Sequence, residues 1–129
     1  MTDNKSLVQV FNNQFEQFIN DVQNVFPTDP DIQKAKTYFN MIKYSNPKLF
    51  IKIWKNNIVT KYKQQIEEGN LTFFLEKDYK TDLNIAENSK EIMDCINRLR
   101  DPIKNMSVEN QKKSMQYIKN LTELAKLLQ

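Results

Sequence analysis

One glycine in 129 residues constrains this chain more than any other feature. Gly69 stands alone, and the four prolines sit at positions 27, 30, 47 and 102. Two-residue hairpins need positive φ angles and therefore usually glycine. Phosphate-cradling loops of the P-loop or dinucleotide type need several glycines close together. Both are almost excluded here. No segment alternates apolar and polar residues with a period of two, so strands have no signal either. What remains is a set of helices with prolines between them. A chain of this length buries roughly two thirds of its unfolded surface, so neither a metal nor a disulfide is needed to hold it. Without linker or internal repeat, residues 1–129 read as a single domain: an all-α compact bundle of five or six helices, with short connections that favour antiparallel neighbours.

The helices can be placed from period and punctuation. Between Leu7 and Phe26 the apolar residues are Leu7, Val10, Phe11, Phe15, Phe18, Ile19, Val22, Val25 and Phe26. At about 100° per residue most of them fall in one arc. Ser6 is the expected cap and Pro27 the stop. Asp29, Pro30 and Asp31 form a second start signal, namely a capping oxygen, a proline at the first helical position and a carboxylate near the positive dipole end. Ser45-Asn46-Pro47 repeats this grammar with Asn46 as cap. The third helix is expected to run to about Glu68, with Gly69 as its left-handed terminator. "LTFFLEKDY" at 71–79 is ambiguous between a short helix and an extended apolar segment. A further helix is expected over about 84–100, broken by Asp101-Pro102. Ser107 should cap the last one, which buries Tyr117, Ile118, Leu121, Leu124, Ala125 and Leu128.

Charge is distributed unevenly. The net charge is +3 overall, but residues 32–66 hold eight lysines and no acid. Residues 1–31 and 67–101 each carry −4, and residues 102–129 carry +3. On the third helix Lys48, Lys52, Lys55 and Lys63 fall within about a quarter of the circumference, opposite Phe50, Ile53, Trp54 and Ile58. Lys36 and Lys43 line up on the second. If the two helices form a hairpin, these six lysines make one basic surface. The plain reading is a solvated face that keeps a small domain soluble. The functional reading is an anion-binding face for nucleic acid or an acidic protein, favoured by the absence of acids, because a merely solubilising face mixes signs. Lysines outnumber arginines 17 to 2. Lysine meets phosphate as a point charge, so any nucleic-acid binding would be sequence-independent and weakened by salt.

Catalytic chemistry has little to work with. There is no histidine, which removes histidine triads and histidine-ligated metals. Cys95 is the only thiol, lies on an apolar stripe and reads as core. The acids Glu67, Glu68, Glu76, Asp78 and Asp82 read as solvated or capping groups. Asp78 and Asp82 could at most hold Mg²⁺ weakly. No cofactor, metal or small-molecule substrate is expected, and the chain is read as a non-enzyme. The start, MTDNKSLVQV, has neither the basic lead nor the apolar run of a secretory signal. The glycosylation triplets at Asn70, Asn105 and Asn120 are then chance matches, and an intracellular location without membrane insertion is expected. The aromatic residues sit at core spacing, although the apolar faces of the first and last helices could also seat a partner or a second copy.

Several segments resemble a known group. They are "FNNQFEQFINDVQNVFPTDPDI", "NPKLFIKIWKNNIVTKY", "FFLEKDY", and "PIKNMS" with "YIKNLTEL". Together they are similar to a family of short helical proteins encoded by large double-stranded DNA viruses of algae and protists (giant viruses). An excess of Lys, Asn and Ile, encoded by AT-rich codons, is compatible with such a genome. The resemblance implies a viral origin, with work in the cytoplasm or viral factory of an infected cell or in the virion. It transfers no activity and no site residue. The expected function is therefore a non-enzymatic interaction protein, docking on a viral or host protein or on itself. The alternative is sequence-independent DNA or RNA binding through Lys36, Lys43, Lys48, Lys52, Lys55 and Lys63.

Overall fold

The computed structural model of the chain describes residues 4–71 and 87–128. They form five helices that pack around one buried cluster, with no strand among the described residues. Helix α1 spans Asn4–Val25 and α2 spans Pro30–Ser45. Helix α3 is a run of three segments, Leu49–Ile53, Trp54–Val59 and Thr60–Glu67, the middle one wound as a π-helix and the last one kinked at Tyr62, where φ −124° and ψ 18° are not helical. Helix α4 spans Glu87–Lys104 and α5 spans Val108–Lys126. The all-α bundle expected from the sequence is what the chain forms. The expectations for 72–86, including Glu76, Asp78, Asp82 and most of "LTFFLEKDY", lie outside the described residues.

The caps follow the punctuation in part. Asp29 caps α2 by accepting from the Asp31 backbone N–H at 2.8 Å, with Pro30 in the first turn. Ser107 caps α5 by accepting from Asn110 N–H at 3.2 Å. Gly69, at φ +71°, closes α3: the Gly69 and Asn70 amides donate back to Ile66 and Gln65 carbonyls, the pattern of a Schellman turn. Three boundaries depart from expectation. Ser6 is not a cap but an interior residue of α1, because nothing at 4–6 disfavours helix and the added turn buries Leu7 and Val8. Asn46 caps nothing with its side chain. Its backbone N–H ends α2 on the Ile42 carbonyl, and its own carbonyl accepts from Leu49 N–H at 3.1 Å. Asp101-Pro102 does not break α4, which continues to Lys104. Pro102 and Ile103 are both buried, and packing them offsets the one backbone bond a proline removes so close to a helix end.

The core explains where each helix sits. On α1 the buried apolar residues Leu7, Val8, Phe11, Phe15, Phe18, Ile19 and Val22 cover an arc of about 120°. Val10 lies outside that arc and is half exposed. This arc meets α2 on one side and α5 on the other. Phe15 is the hub, with ring contacts to Phe39 of α2 at 4.9 Å, Phe50 of α3 at 5.1 Å and Trp54 at 6.1 Å. Trp54 is fully buried, and its indole N–H donates to Thr122 Oγ1 on α5 at 3.1 Å.

The π segment has a legible cause. Phe50, Trp54, Ile58, Tyr62 and Ile66 recur every four residues and all are buried. In a regular α-helix a four-residue step turns about 40° too far, so five such residues would wind halfway round the helix. One widened turn, closed by the i→i+5 bond from Thr60 N–H to Lys55 O, takes up this drift, and the kink at Tyr62 follows it before the stripe continues to Ile66. Side chains satisfy the disturbed carbonyls. Thr60 Oγ1 donates to Lys55 O at 3.0 Å and Asn57 Nδ2 to Ile53 O at 3.2 Å.

Candidate binding surfaces

The six lysines predicted to form one basic face divide into two groups. Lys36 Nζ donates to Gln23 Oε1 at 3.1 Å, and Lys43 forms an ion pair with Glu16 at 3.0 Å, so both of these α2 lysines turn towards α1. Lys55 donates to the backbone carbonyl of Leu128, just beyond the end of α5. These three hold helices together. Lys48, Lys52 and Lys63 are exposed, and none of them has a partner among the described residues. A single sheet of six lysines therefore does not form. The spacing placed the lysines correctly relative to their own helices but contained nothing about Glu16, Gln23 or Leu128, which approach from elsewhere in the chain.

The apolar faces of α1 and α5 are not surplus either. Seven apolar residues of α1, and Met115, Ile118, Leu121 and Ala125 of α5, are consumed by the core. Single exposed apolar residues remain on both, Val10 and Val25 on α1 and Val108 on α5, and a neighbouring pair lies on α2. On α2, Met41 is 58% and Tyr44 82% exposed. They are about 60° apart on the outward side, opposite Ile32, Ala35 and Phe39. Sequence reading omitted both, although their signal was available: neither falls on the apolar arc of α2. The Lys43 ammonium lies 5.6 Å from the Tyr44 ring centroid.

Two grooves flank this end of α2. The first, of about 440 Å³, lies between α1 and the α2–α3 turn and is lined by Lys5, Lys43, Lys48, Asn12, Val8 and Pro47 among others. Asn12 is 4% exposed and its Nδ2 donates to the Pro47 carbonyl at 3.0 Å, which fixes the turn against α1. The second, of about 520 Å³, lies between α2 and α4, with Tyr38 and Met41 on one wall and Glu91, Asp94 and Arg98 on the other. Polar ties cross it. Arg98 spans Asp31 at 2.7 Å and Asp94 at 3.0 Å, and Tyr38 donates to Glu91 at 3.0 Å. Burial, then the Glu91 carboxylate, raises the Tyr38 phenol above its ordinary range.

Neither groove presents a reactive group. Cys95 reaches the second from below but is buried, and its thiol donates to the Ala35 carbonyl at 3.4 Å. Burial first, then the Asp94 charge, pushes that thiol from 9.0 up to about 12. The core reading of Cys95 from the sequence agrees with this. Among the described residues no group of three or more acids and cysteines could hold a metal, and no helix is long and apolar enough to cross a membrane.

The raised pKa values have a measurable consequence. Burial and the Asp21 hydrogen bond also push the Tyr117 phenol up to about 12. These groups fold in their neutral forms. Above pH 9 the unfolded chain releases the Cys95 proton while the folded chain keeps it, so stability that is complete below pH 9 falls as the pH rises towards 12. The limiting slope is about 1.4 kcal/mol per pH unit for the one thiol. Melting temperature should therefore decline from pH 9 upwards. Cys95→Ala should flatten the limb between pH 9 and 10 and leave the tyrosine part above it. An unchanged profile in Cys95→Ala would show that the thiol does not contribute.

Comparison of the chain with protein-family models, with curated proteins and with solved structures finds no match, so its surfaces have to be read from their own chemistry.

Proposed function

We propose that the chain is a non-enzymatic interaction protein that docks on a protein partner through the outer end of α2. The observation that carries this reading is the exposure of Met41 and Tyr44 side by side on a helix whose core-facing side is already filled. Tyrosine and methionine are the residue types enriched where protein interfaces bury surface, tyrosine as a rigid anchor and methionine as an adaptable one. The neighbouring Lys48, exposed and without a partner among the described residues, and the acid-free run of residues 32–66 favour a partner of acidic character. If the viral origin implied by the sequence resemblance holds, that partner is a viral or host protein of the infected cell. The test compares affinity capture by the wild-type chain and by Met41→Ser/Tyr44→Ser, with sedimentation of each alone. A partner or a dimer present with the wild type and lost in the double variant is expected. Identical captured sets and identical sedimentation for both would reject this surface.

The second reading, sequence-independent nucleic-acid binding, is supported by Lys48, Lys52 and Lys63, which are exposed and have no partner among the described residues. Lys55 belongs to the bundle through Leu128 and is left unchanged in its test. On this reading, labelled single- and double-stranded DNA or RNA binds at about 50 mM salt and is released at about 200 mM. Lys48→Glu/Lys52→Glu/Lys63→Glu abolishes the binding while helicity is retained. Absence of binding at the lower salt would remove this reading.

A further inference from the structure

Helices α2 and α4 run antiparallel along the groove between them. Asp31 meets Arg98, the Ala35 carbonyl accepts from Cys95, and Tyr38 meets Glu91. This register sets Lys34 level with Cys95, one residue from Asp94. The face that the two helices share is balanced in charge: Lys34, Lys90 and Arg98 stand against Asp31, Glu91 and Asp94. Lys34 and Lys90 are exposed, and neither has a partner among the described residues. Glu91 and Asp94 are exposed too. Tyr38 and Arg98 each engage one oxygen of these carboxylates and leave the other open to a second cation. Met41 lines the same groove, and Tyr44 follows it one turn on. We propose that this face docks on the same face of a second copy of the chain, with the twofold axis parallel to the two helices, so that Lys34 of each copy meets Asp94 of the other and the Met41 side chains are buried between the copies. The proposal rests on the interaction reading above and names its partner.

Three features select a second copy. A contact between identical faces has to be self-complementary. A twofold axis parallel to α2 and α4 lays α2 of one copy over α4 of the other at an unchanged level, which brings Lys34 to Asp94 twice. An axis across the helices would set α2, with three lysines and one aspartate, on another α2. Net charge is the second feature. The chain carries +3, which opposes self-association in general, but the six charges of this face sum to zero. The exposed Lys48, Lys52 and Lys63 elsewhere would repel a copy. The third is the apolar content. Met41 and Tyr44 supply exposed apolar area beside charged groups, the apolar centre and polar rim of a protein interface.

The test is sedimentation velocity of the whole chain from micromolar to near-millimolar concentration, at about 50 mM salt, where screening is weaker than at physiological strength. A monomer–dimer equilibrium is expected. Lys34→Asp and Asp94→Lys should each weaken it at least about tenfold, because each reverses two contacting charges per dimer. An equimolar mixture of these two variants should recover the dimer, since in the mixed pair every reversed charge faces its opposite on the other chain. Lys52→Asp makes the same change in net charge as Lys34→Asp but on α3, and should stay within about twofold. Met41→Asp, at an exposed position, should also weaken the dimer at least about tenfold and decides the matter if Asp94→Lys unfolds the chain by releasing Arg98. Circular dichroism of each variant reads its helicity. A wild type that is monomeric throughout, a dimer indifferent to Lys34→Asp and Met41→Asp, or a mixture that stays monomeric while both of its variants remain helical would overturn the assignment. A monomeric wild type whose partner capture still depends on Met41 and Tyr44 would remove self-association and leave the docking reading in place. A monomeric wild type with no such capture would remove both.

Discussion

Replacing Phe15 with alanine should cost about 3–5 kcal/mol, a large share of the roughly 5–15 kcal/mol that holds a domain of this kind together. The position is fully buried, and the ring is the meeting point of three helices. It touches Phe11 and Phe18 on its own helix, Phe39 on α2, and Phe50 and Trp54 on α3. Removing it takes away the transfer energy of a large side chain and leaves a cavity walled by rings. Those rings come from separate helices and cannot all close inwards at once. Phe15→Leu keeps most of the volume but loses the edge-to-face contacts, so a cost of about 1–2 kcal/mol is expected. Tyr44→Ala, on the exposed side of α2, should stay within about 0.5 kcal/mol. Urea unfolding of the three variants gives the ranking directly. A Phe15→Ala midpoint close to wild type would mean that the aromatic cluster is not the centre of the core.

How much of this was readable in advance depends on the range of the cause. Helix identity and core membership follow from local period and short-range caps, so Asp29, Ser107, Gly69 and the stripe of α1 could all be placed from the sequence. Helix ends that depend on tertiary packing could not. Pro102 is tolerated because Ile103 beyond it finds the core, and Asn46 loses its expected role because the turn is fixed instead by Asn12 on α1. The candidate surface suffered most. Glu16 and Gln23 lie 27 and 13 residues from the lysines they engage, and the Leu128 carbonyl lies 73 residues from Lys55. A helical wheel carries no information about such partners. It also draws attention to charge, and so passed over Met41 and Tyr44, whose significance is that they are apolar residues on the wrong side of their helix.

The π segment of α3 was missed for a different reason: its signal was in the sequence, but as a departure from the usual period. This permits a strong prediction about deletions. Removing Asn56, an exposed residue inside the π segment, changes the spacing of the five buried residues from 4, 4, 4, 4 to 4, 3, 4, 4. In a regular α-helix that pattern keeps all five within about 80° of one another, so the shortened helix can present the same face without the widened turn. Trp54 and Thr122 still meet, since both lie outside the deletion. Deletion of Asn56 should therefore give a folded, cooperatively melting chain, within about 2 kcal/mol of wild type, as expected when no buried group is lost. Deleting Asn13, an equally exposed residue in the regular helix α1, has no such remedy. It rotates Phe15, Phe18, Ile19 and Val22 by about 100° relative to Leu7, Val8 and Phe11. Four large buried side chains then leave the core together, a loss beyond the stability of the domain. Circular dichroism melts of the two deletions decide the matter. A folded Asn13 deletion, or an Asn56 deletion as unfolded as its α1 counterpart, would show that the four-residue stripe is not what sets the winding of α3.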